Sequence, residues 1–283
     1  MNIAYLNGNF LPKEEIKISP DDRGFLFADG IYEVMKWYGG FFYDSQSHTT
    51  RLKRSLREIQ LKWDEADTFI LLSNELIKLN SLNDKNAMVY IQVTRGAAPR
   101  THHFPDYPVR PTVYAFAKEL PTSKEQGLAG IGIMLKEDIR WTRCDIKSVS
   151  LLPNVLGMQE ANENGFAECI FARNGFITEG SHSNIFFVHN GILRTHQESE
   201  FILSGITRKN VIRMAKKAGI PLKEEALHEK ELINIEEAFI TNSTGEITPV
   251  NLINEITVGN GFPGAVTSLL INEFRAEIAS LKV

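Results

Sequence analysis

The run "IYEVMKWY" sets Ile31, Glu33, Met35 and Trp37 against Tyr32, Val34, Lys36 and Tyr38. That period of two predicts a strand. "AMVYIQVTRG" and "TVYAFAKEL" predict two more. Asn7-Gly8, Asn174-Gly175 and Asn190-Gly191 each separate two short apolar runs, which predicts three tight hairpins. Helical spacing takes over at "TTRLKRSLREIQL", where Leu52, Leu56 and Ile59 form one stripe. It returns at "EADTFILLSNELIKLNSL", at "SGITRKNVIRMAKKAG" from near Gly205 to Gly219, and in a last helix using Val266, Leu269, Leu270, Phe274 and Ile278. "LLPNVLGMQEANENG" predicts a helix with a buried start, Pro153 in its first turn and Gly165 at its stop. "EEAFITNSTGEITPV" is expected as a strand, a hydroxyl-rich loop and an exit.

One stretch fits neither pattern. "IRWTRCDIKSVSLLPN" alternates like a strand, with Ile139, Trp141, Arg143, Asp145 and Lys147 on one side. Arg140, Thr142, Cys144, Ile146 and Ser148 fall on the other. Both faces mix charge with apolar bulk. Lysine is rarely buried unpaired, so Lys147 is either a solvated surface residue or a working amine.

Meandering strands with helices grouped apart predict α+β in both halves. The breaker-rich "PTSKEQG" places a boundary at residues 121–127. The expectation is a small N-terminal domain (1–120), a linker (121–127) and a larger C-terminal domain (128–283). No GxGxxG follows a strand and no GxxxxGK[ST] occurs, which argues against a Rossmann dinucleotide site and a P-loop.

Composition narrows the classes. At 283 residues, 43% hydrophobic and net charge −4, the chain reads as an ordinary globular protein with no global basic field for nucleic acid or an anionic membrane. No run approaches a membrane span. The N-terminus lacks signal-peptide features. Two cysteines make no disulfide framework and no cysteine metal site, so a reducing cytoplasm is expected and no metal.

Candidate chemistry gathers in the second half. "LSGITR" opens a helix where N–H groups and the macrodipole suit an anion, though a plain helix cap has the same look. "TNSTGEIT" offers hydroxyls, or simply a turn. "ITEGSHSN" carries Glu179 in the connection between two hairpins. Arg51 is a charged donor or a solvated arginine. An amine, two phosphate-like loops and one carboxylate are the parts that a phosphorylated aldehyde cofactor needs.

Seven ordered motifs then carry a resemblance: "DRGFLFADGIYEVMKWY", "RLKRSL", "QVTRGAAPRTHHFP", "EDIRWTRCDIKSVSLLPNVL", "ITEGSHSNIFFV", "LSGITR" and "TNSTGEITPV". Over essentially its whole length the chain resembles the fold-type IV pyridoxal phosphate enzymes, and among them the bacterial D-amino acid aminotransferases. The resemblance implies a small α/β domain and a larger domain with a β-barrel-like sheet and helices. It implies that pyridoxal 5'-phosphate is the cofactor, that Lys147 forms its Schiff base and that Glu179 partners its ring nitrogen. Arg51, Ile206, Thr207 and Ser243 match the phosphate clamp, and Leu203 the residue packed on the ring. Tyr32, Arg100 and His102 match the trap for the substrate α-carboxylate, with Arg100 and His102 reaching in from a second subunit of a homodimer. Val34 and Lys36 match substrate-pocket neighbours.

His182 stands where close relatives carry serine, Asn242 replaces a hydroxyl residue, and Ser243 replaces threonine. The implied activity is exchange of an amino group between D-amino acids and 2-oxo acids. A 4-amino-4-deoxychorismate lyase and a branched-chain L-aminotransferase use the same cofactor and lysine, but "RTHH" (Arg100 to His103) argues against both. A non-enzymatic scaffold is disfavoured by the presence of both Lys147 and Glu179.

Overall fold

The computed structural model describes residues 2–121 and 129–282. Of the expected linker, all but Pro121 lies outside the described residues. The chain divides into two compact units. The first is Met1–Thr122 with Ile146–Ser150, and the second is Ser123–Asp145 with Leu151–Val283.

The first unit contains β1 (Ile3–Leu6), β2 (Asn9–Pro12), α1 (Arg23–Phe27), β3 (Gly30–Tyr38), α2 (Ser45–Glu58), α3 (Phe69–Leu79), β4 (Asn86–Thr94) and β5 (Thr112–Glu119). Its strands form an antiparallel sheet in the order β2-β1-β5-β4-β3. The Asn7-Gly8 turn has φ of 49° and 99°. Those left-handed values are the ones that favour Asn-Gly in a two-residue hairpin. Ile31, Met35, Val89, Ile91 and Val93 form a core with Leu52 and Leu56 of α2 and Phe69 and Leu76 of α3. Glu33 lies on that same buried face of β3, while Tyr32, Val34 and Lys36 are half-buried on the other.

The second unit contains β6 (Ile131–Glu137), α4 (Leu152–Glu163), β7 (Glu168–Arg173), β8 (Phe176–Gly180), β9 (Asn184–His189), β10 (Ile192–Thr195), α5 (Ile206–Lys217), β11 (Leu222–Glu224), β12 (Glu237–Asn242), β13 (Glu246–Ile253), β14 (Ile256–Thr257) and α6 (Ala265–Leu281). One mixed sheet runs β11-β10-β9-β12-β13-β6-β7-β8, with β14 on β13. β8 is the last strand in this order and β9 the third, yet the Gly180 N–H donates to the Ser183 carbonyl at 2.7 Å across the short link between them. The six strands from β9 round to β8 must therefore curl until the two meet. This is the β-barrel-like sheet that the resemblance implied.

Four expectations need correction. The stretch from Ile139 to Ser148 is not a strand: it makes a single bridge, Ile31↔Ser148, and otherwise turns. Its alternation nonetheless survives in part in burial, Thr142 being the exposed exception. Arg140, Cys144, Ile146 and Ser148 are buried, whereas Ile139 and Trp141 are 65% and 43% exposed. The start of α4 is open rather than buried, with Leu152, Val155 and Leu156 all exposed. Glu179 lies inside β8, not in a connecting loop. The segment after "TNSTG" is no simple exit but strand β13, the second arm of a hairpin on β12.

Lys147 also falls in the first unit rather than with the C-terminal residues. Backbone hydrogen bonds along the edge of β3 account for this. The Tyr32 N–H donates to the Lys147 carbonyl at 3.0 Å, and the Val149 N–H to the Gly30 carbonyl at 3.1 Å. Ile146 packs in the first unit's core.

Candidate active site

In the first unit the pairing of residues 146–149 with the edge of β3 fixes where Lys147 points. Ile31 and Ser148 are cross-strand partners on the buried face, so Lys147 takes the opposite face, with Tyr32. Its Nζ sits 4.2 Å from the centre of the Tyr32 ring. The Lys147 N–H donates to Ser55 Oγ of α2 at 3.2 Å, which anchors the backbone beneath the amine. Tyr32 in turn stacks on Tyr90, with ring centroids 5.6 Å apart. Tyr32, Val34 and Lys36 share this face by strand alternation.

Arg51 lies on the other side of β3, turned in from α2. Its Nε donates to Glu33 Oε2 at 2.9 Å and its Nη2 to Glu33 Oε1 at 2.6 Å. Such a two-point grip fixes the plane of the guanidinium as well as its position. His48, one turn earlier on α2, meets the same Oε1 through Nδ1 at 3.0 Å. Burial alone would raise the Glu33 carboxyl. The Arg51 charge and the His48 donor outweigh it and hold Glu33 well below the usual carboxylate range.

Arg100 and His102 stand apart from this cluster. Both are exposed and both approach the Phe27 ring, Arg100 at 5.0 Å and His102 at 5.5 Å between centroids. The neighbouring arginines are spoken for: Arg23 and Arg95 both bind Asp29. Arg100 makes no ion pair with a carboxylate of the described residues.

In the second unit Glu179 is the centre. Arg140 Nη1 donates to its Oε1 at 2.7 Å, and its Oε2 accepts from the Leu203 N–H at 2.9 Å and Asn184 Nδ2 at 3.0 Å. Arg140 is itself gripped by Asp138 through Nε and Nη2, and Asp138 also takes Arg173 at 3.3 Å. Burial pushes the Glu179 carboxyl up to about 7 against the pull of Arg140. A carboxyl in that range is matched to a weakly basic ring nitrogen, with which it can share a proton.

Leu203 is tied to Glu179 through its backbone at both ends, since its carbonyl accepts from Asn184 Nδ2 at 2.9 Å. A few residues on, α5 begins at Gly205, which caps without any side-chain hydrogen bond. The first-turn N–H groups of Ile206 and Thr207 therefore have no side-chain cap and suit an anion. A Cβ on Gly205 would stand 2.0 Å from Asn184 Oδ1, so glycine is required by close approach. Ser243 sits at the β12–β13 turn. Asn242 holds that turn through Oδ1, which accepts from the N–H groups of Thr244 and Gly245. The buried Thr241 hydroxyl beside it has no partner among the described residues. These donors and the buried carboxylate fit a phosphorylated pyridine in chemical type.

The Ser181–Ser183 turn after Glu179 is held by Glu168, a fully buried carboxylate. It accepts from the Ser181 and Ser183 hydroxyls at 2.5 and 2.8 Å and pairs with His182 Nδ1 at 2.9 Å. His182 thus contributes to the fixing of this turn. Arg143 and Asp145, for which the sequence offered no role, pair with each other at 2.9 Å.

Sequence reasoning missed Arg140, Asp138, Asn184, Glu33 and His48. The signal for the first two was inverted polarity: in "DIRW" Asp138 and Arg140 are buried and Ile139 and Trp141 exposed. Glu33 sat in plain view on the apolar face of "IYEVMKWY". No metal-holding group of histidine, cysteine or carboxylate residues occurs among the described residues. No helix there is long and apolar enough to cross a membrane.

Residues 30–253 match the family model of the class IV amino-transferases. The chain is 39% identical over 281 residues to a D-alanine aminotransferase of Staphylococcus haemolyticus, covering 99% of each chain. It is 38% identical to the D-alanine aminotransferase of Bacillus licheniformis, covering 92% of each. Among solved structures, a branched-chain amino acid aminotransferase from Escherichia coli superposes with a TM-score of 0.89 at 24% identity, covering 97% of this chain and 93% of that one. The branched-chain aminotransferase of Thermoproteus uzoniensis, solved with norvaline, gives 0.88 at 24%, covering 99% and 95%. A further branched-chain aminotransferase, solved with pyridoxamine 5'-phosphate, gives 0.89 at 22%, covering 98% and 94%. At these identities the structural likeness speaks for the fold alone, and it is the fold expected from the motifs. Family model and near-full-length relatives agree: the chain belongs to the class IV aminotransferases.

Proposed function

We propose that this protein is a pyridoxal 5'-phosphate-dependent D-amino acid transaminase. It exchanges the amino group of D-alanine, D-glutamate or D-aspartate with pyruvate or 2-oxoglutarate in a ping-pong cycle. The observation that carries this reading is the 39% identity to a D-alanine aminotransferase over 99% of both chains. The branched-chain neighbours match at 24% or below, so the branched-chain alternative fits less well.

Bound pyridoxal phosphate supplies an aldehyde to receive the amino group and a ring that absorbs the electron pair left at Cα. The rest belongs to the chain. Lys147 supplies the amine that holds the aldehyde carbon, and when displaced by substrate it takes the Cα proton and returns it at C4′. Glu179 holds the proton of the ring nitrogen, with Arg140 and Asn184 keeping the carboxylate in place. The phosphate is taken by Arg51, the N–H groups of Ile206 and Thr207, and the Ser243 hydroxyl. Leu203 packs on the ring. Tyr32, Arg100 and His102 bind the substrate α-carboxylate, with Val34 and Lys36 beside it.

Arg100 and His102 come from the second subunit of a homodimer. Exposed Phe25, Phe104 and Tyr107, close to them in sequence or around Phe27, support an apolar partner surface there. Two free cysteines, both buried, are in keeping with a cytoplasmic enzyme.

The test is direct. Purified protein is incubated with D-alanine and 2-oxoglutarate, and pyruvate is followed with lactate dehydrogenase; L-alanine is run in parallel, and L-leucine is followed through the glutamate formed from 2-oxoglutarate. Pyruvate from the D-isomer alone supports the reading. Turnover of L-isomers only would overturn it, and pyruvate from aminodeoxychorismate without any transamination would favour the lyase.

A further inference from the structure

Helix α2 carries a buried polar stripe on its β3-facing side. His48, Arg51 and Ser55 lie at positions i, i+3 and i+7, and all three are buried. Arg51 and His48 converge on one carboxylate oxygen, Glu33 Oε1, at 2.6 and 3.0 Å, and the Val34 N–H donates to the same atom at 3.0 Å. Glu33 is fully buried and anionic, so the His48 nitrogen that meets it must carry the proton.

The choice of residue matters here. A second full cation would compete with Arg51 for the single negative charge, and an apolar residue would leave Oε1 with one donor fewer. Burial, together with the Arg51 and Lys147 charges, keeps His48 below its ordinary range despite Glu33. It therefore donates a hydrogen bond without contributing a charge.

We propose that His48 is a positioning residue for cofactor binding: by fixing Glu33 it fixes the plane of the Arg51 guanidinium, and so sets how tightly the protein holds the 5'-phosphate. This rests on the reading of Arg51 as a phosphate ligand. It adds a residue that does not itself touch the cofactor.

The experiment compares pyridoxal 5'-phosphate with pyridoxal, which lacks the phosphate, by spectroscopic titration of the cofactor-free protein. Arg51→Ala tests the underlying reading. It should weaken pyridoxal phosphate binding strongly and leave pyridoxal binding near the wild-type value. His48→Leu should weaken pyridoxal phosphate binding about tenfold, the size expected for losing one hydrogen bond to a charged group, with pyridoxal again unaffected. His48→Asn keeps a donor and should recover most of the loss. It also serves as the folded comparison if the leucine variant is unstable.

Wild-type phosphate selectivity in both His48 variants, with Arg51→Ala defective, would overturn the proposal and leave the Arg51 reading standing. Wild-type affinity in Arg51→Ala would overturn both. Equal weakening toward pyridoxal and pyridoxal phosphate would show a general structural defect and also defeat the proposal.

Discussion

Arg140 Nη1 donates to Glu179 Oε1 at 2.7 Å, and both residues are buried in the second unit. Breaking a buried ion pair from one side leaves the other charge stranded, which costs about 3–5 kcal/mol. Arg140→Met leaves Glu179 without its guanidinium and Asp138 with Arg173 alone, at 3.3 Å. Urea unfolding should show a loss of this order. At saturating cofactor the variant should also turn over more slowly, because Glu179 is no longer held in place. A variant as stable as wild type would mean that Glu179 is buried without needing Arg140.

The raised Glu179 carboxyl gives a pH dependence whose sign can be worked out. The folded value lies near 7 against an ordinary 4.5. The folded state thus binds this proton more tightly than the unfolded state. Its contribution to stability is fully present below about 4.5 and is lost as the pH rises through 7, on the order of 3 kcal/mol in all. On the proposed reading, a cofactor ring-nitrogen proton opposite Glu179 offsets that loss. Melting temperatures of cofactor-free and cofactor-loaded protein should therefore diverge as the pH rises from about 4.5 to about 7. Glu179→Gln, which cannot ionise, should flatten the divergence. An equally steep divergence in the variant would remove Glu179 as its cause.

Much of this was legible in the residues. The three Asn-Gly hairpins, the strand alternation of "IYEVMKWY" and the glycine stop after α5 are local signals, and local chemistry decides them. The helix start at Gly205, with no side-chain cap, is equally local. Arg140 is different. Its partner Glu179 is 39 residues away, and the Asp138 two residues before it reads locally as one more surface charge, so burial of the cluster is decided at long range. The same limit explains Lys147. Its alternating neighbours read as a strand, but strands are made by partners, and only residues 146–149 find one, on the edge of β3. The exposed apolar start of α4 shows the converse: Leu152, Val155 and Leu156 look like core in sequence and lie at the surface.

Arg100 offers a test in which stability is held aside. Its side chain is exposed and rests only near the Phe27 ring, so Arg100→Ala should leave the melting temperature close to wild type. If it binds the substrate carboxylate, losing a charged hydrogen-bonding partner lowers kcat/KM about 10–100-fold. Arg95→Ala serves as the contrast. It removes a buried partner of Asp29 and should destabilise the fold. Unchanged kcat/KM for D-alanine in Arg100→Ala would take Arg100 out of the substrate site.

Gly205 tests the link between the start of α5 and the Glu179 cluster. Its backbone, at φ −67° and ψ 137°, is open to any residue, so conformational strain is not the reason for glycine. The reason is space: an added Cβ would lie 2.0 Å from Asn184 Oδ1. Asn184 cannot simply swing away, because its Nδ2 is held by Glu179 Oε2 and the Leu203 carbonyl. Gly205→Ala should therefore displace either the first turn of α5 or the Asn184 amide. The expected cost is about 1–3 kcal/mol of stability, together with weaker pyridoxal phosphate binding. A double-mutant cycle separates the clash from any other effect. Asn184→Ala removes the obstructing atom, so adding Gly205→Ala to it should cost much less than in the wild-type background. Strictly additive costs in unfolding and in cofactor titration would show that the two residues do not meet, and the coupling between the start of α5 and the Glu179 carboxylate would fall with them.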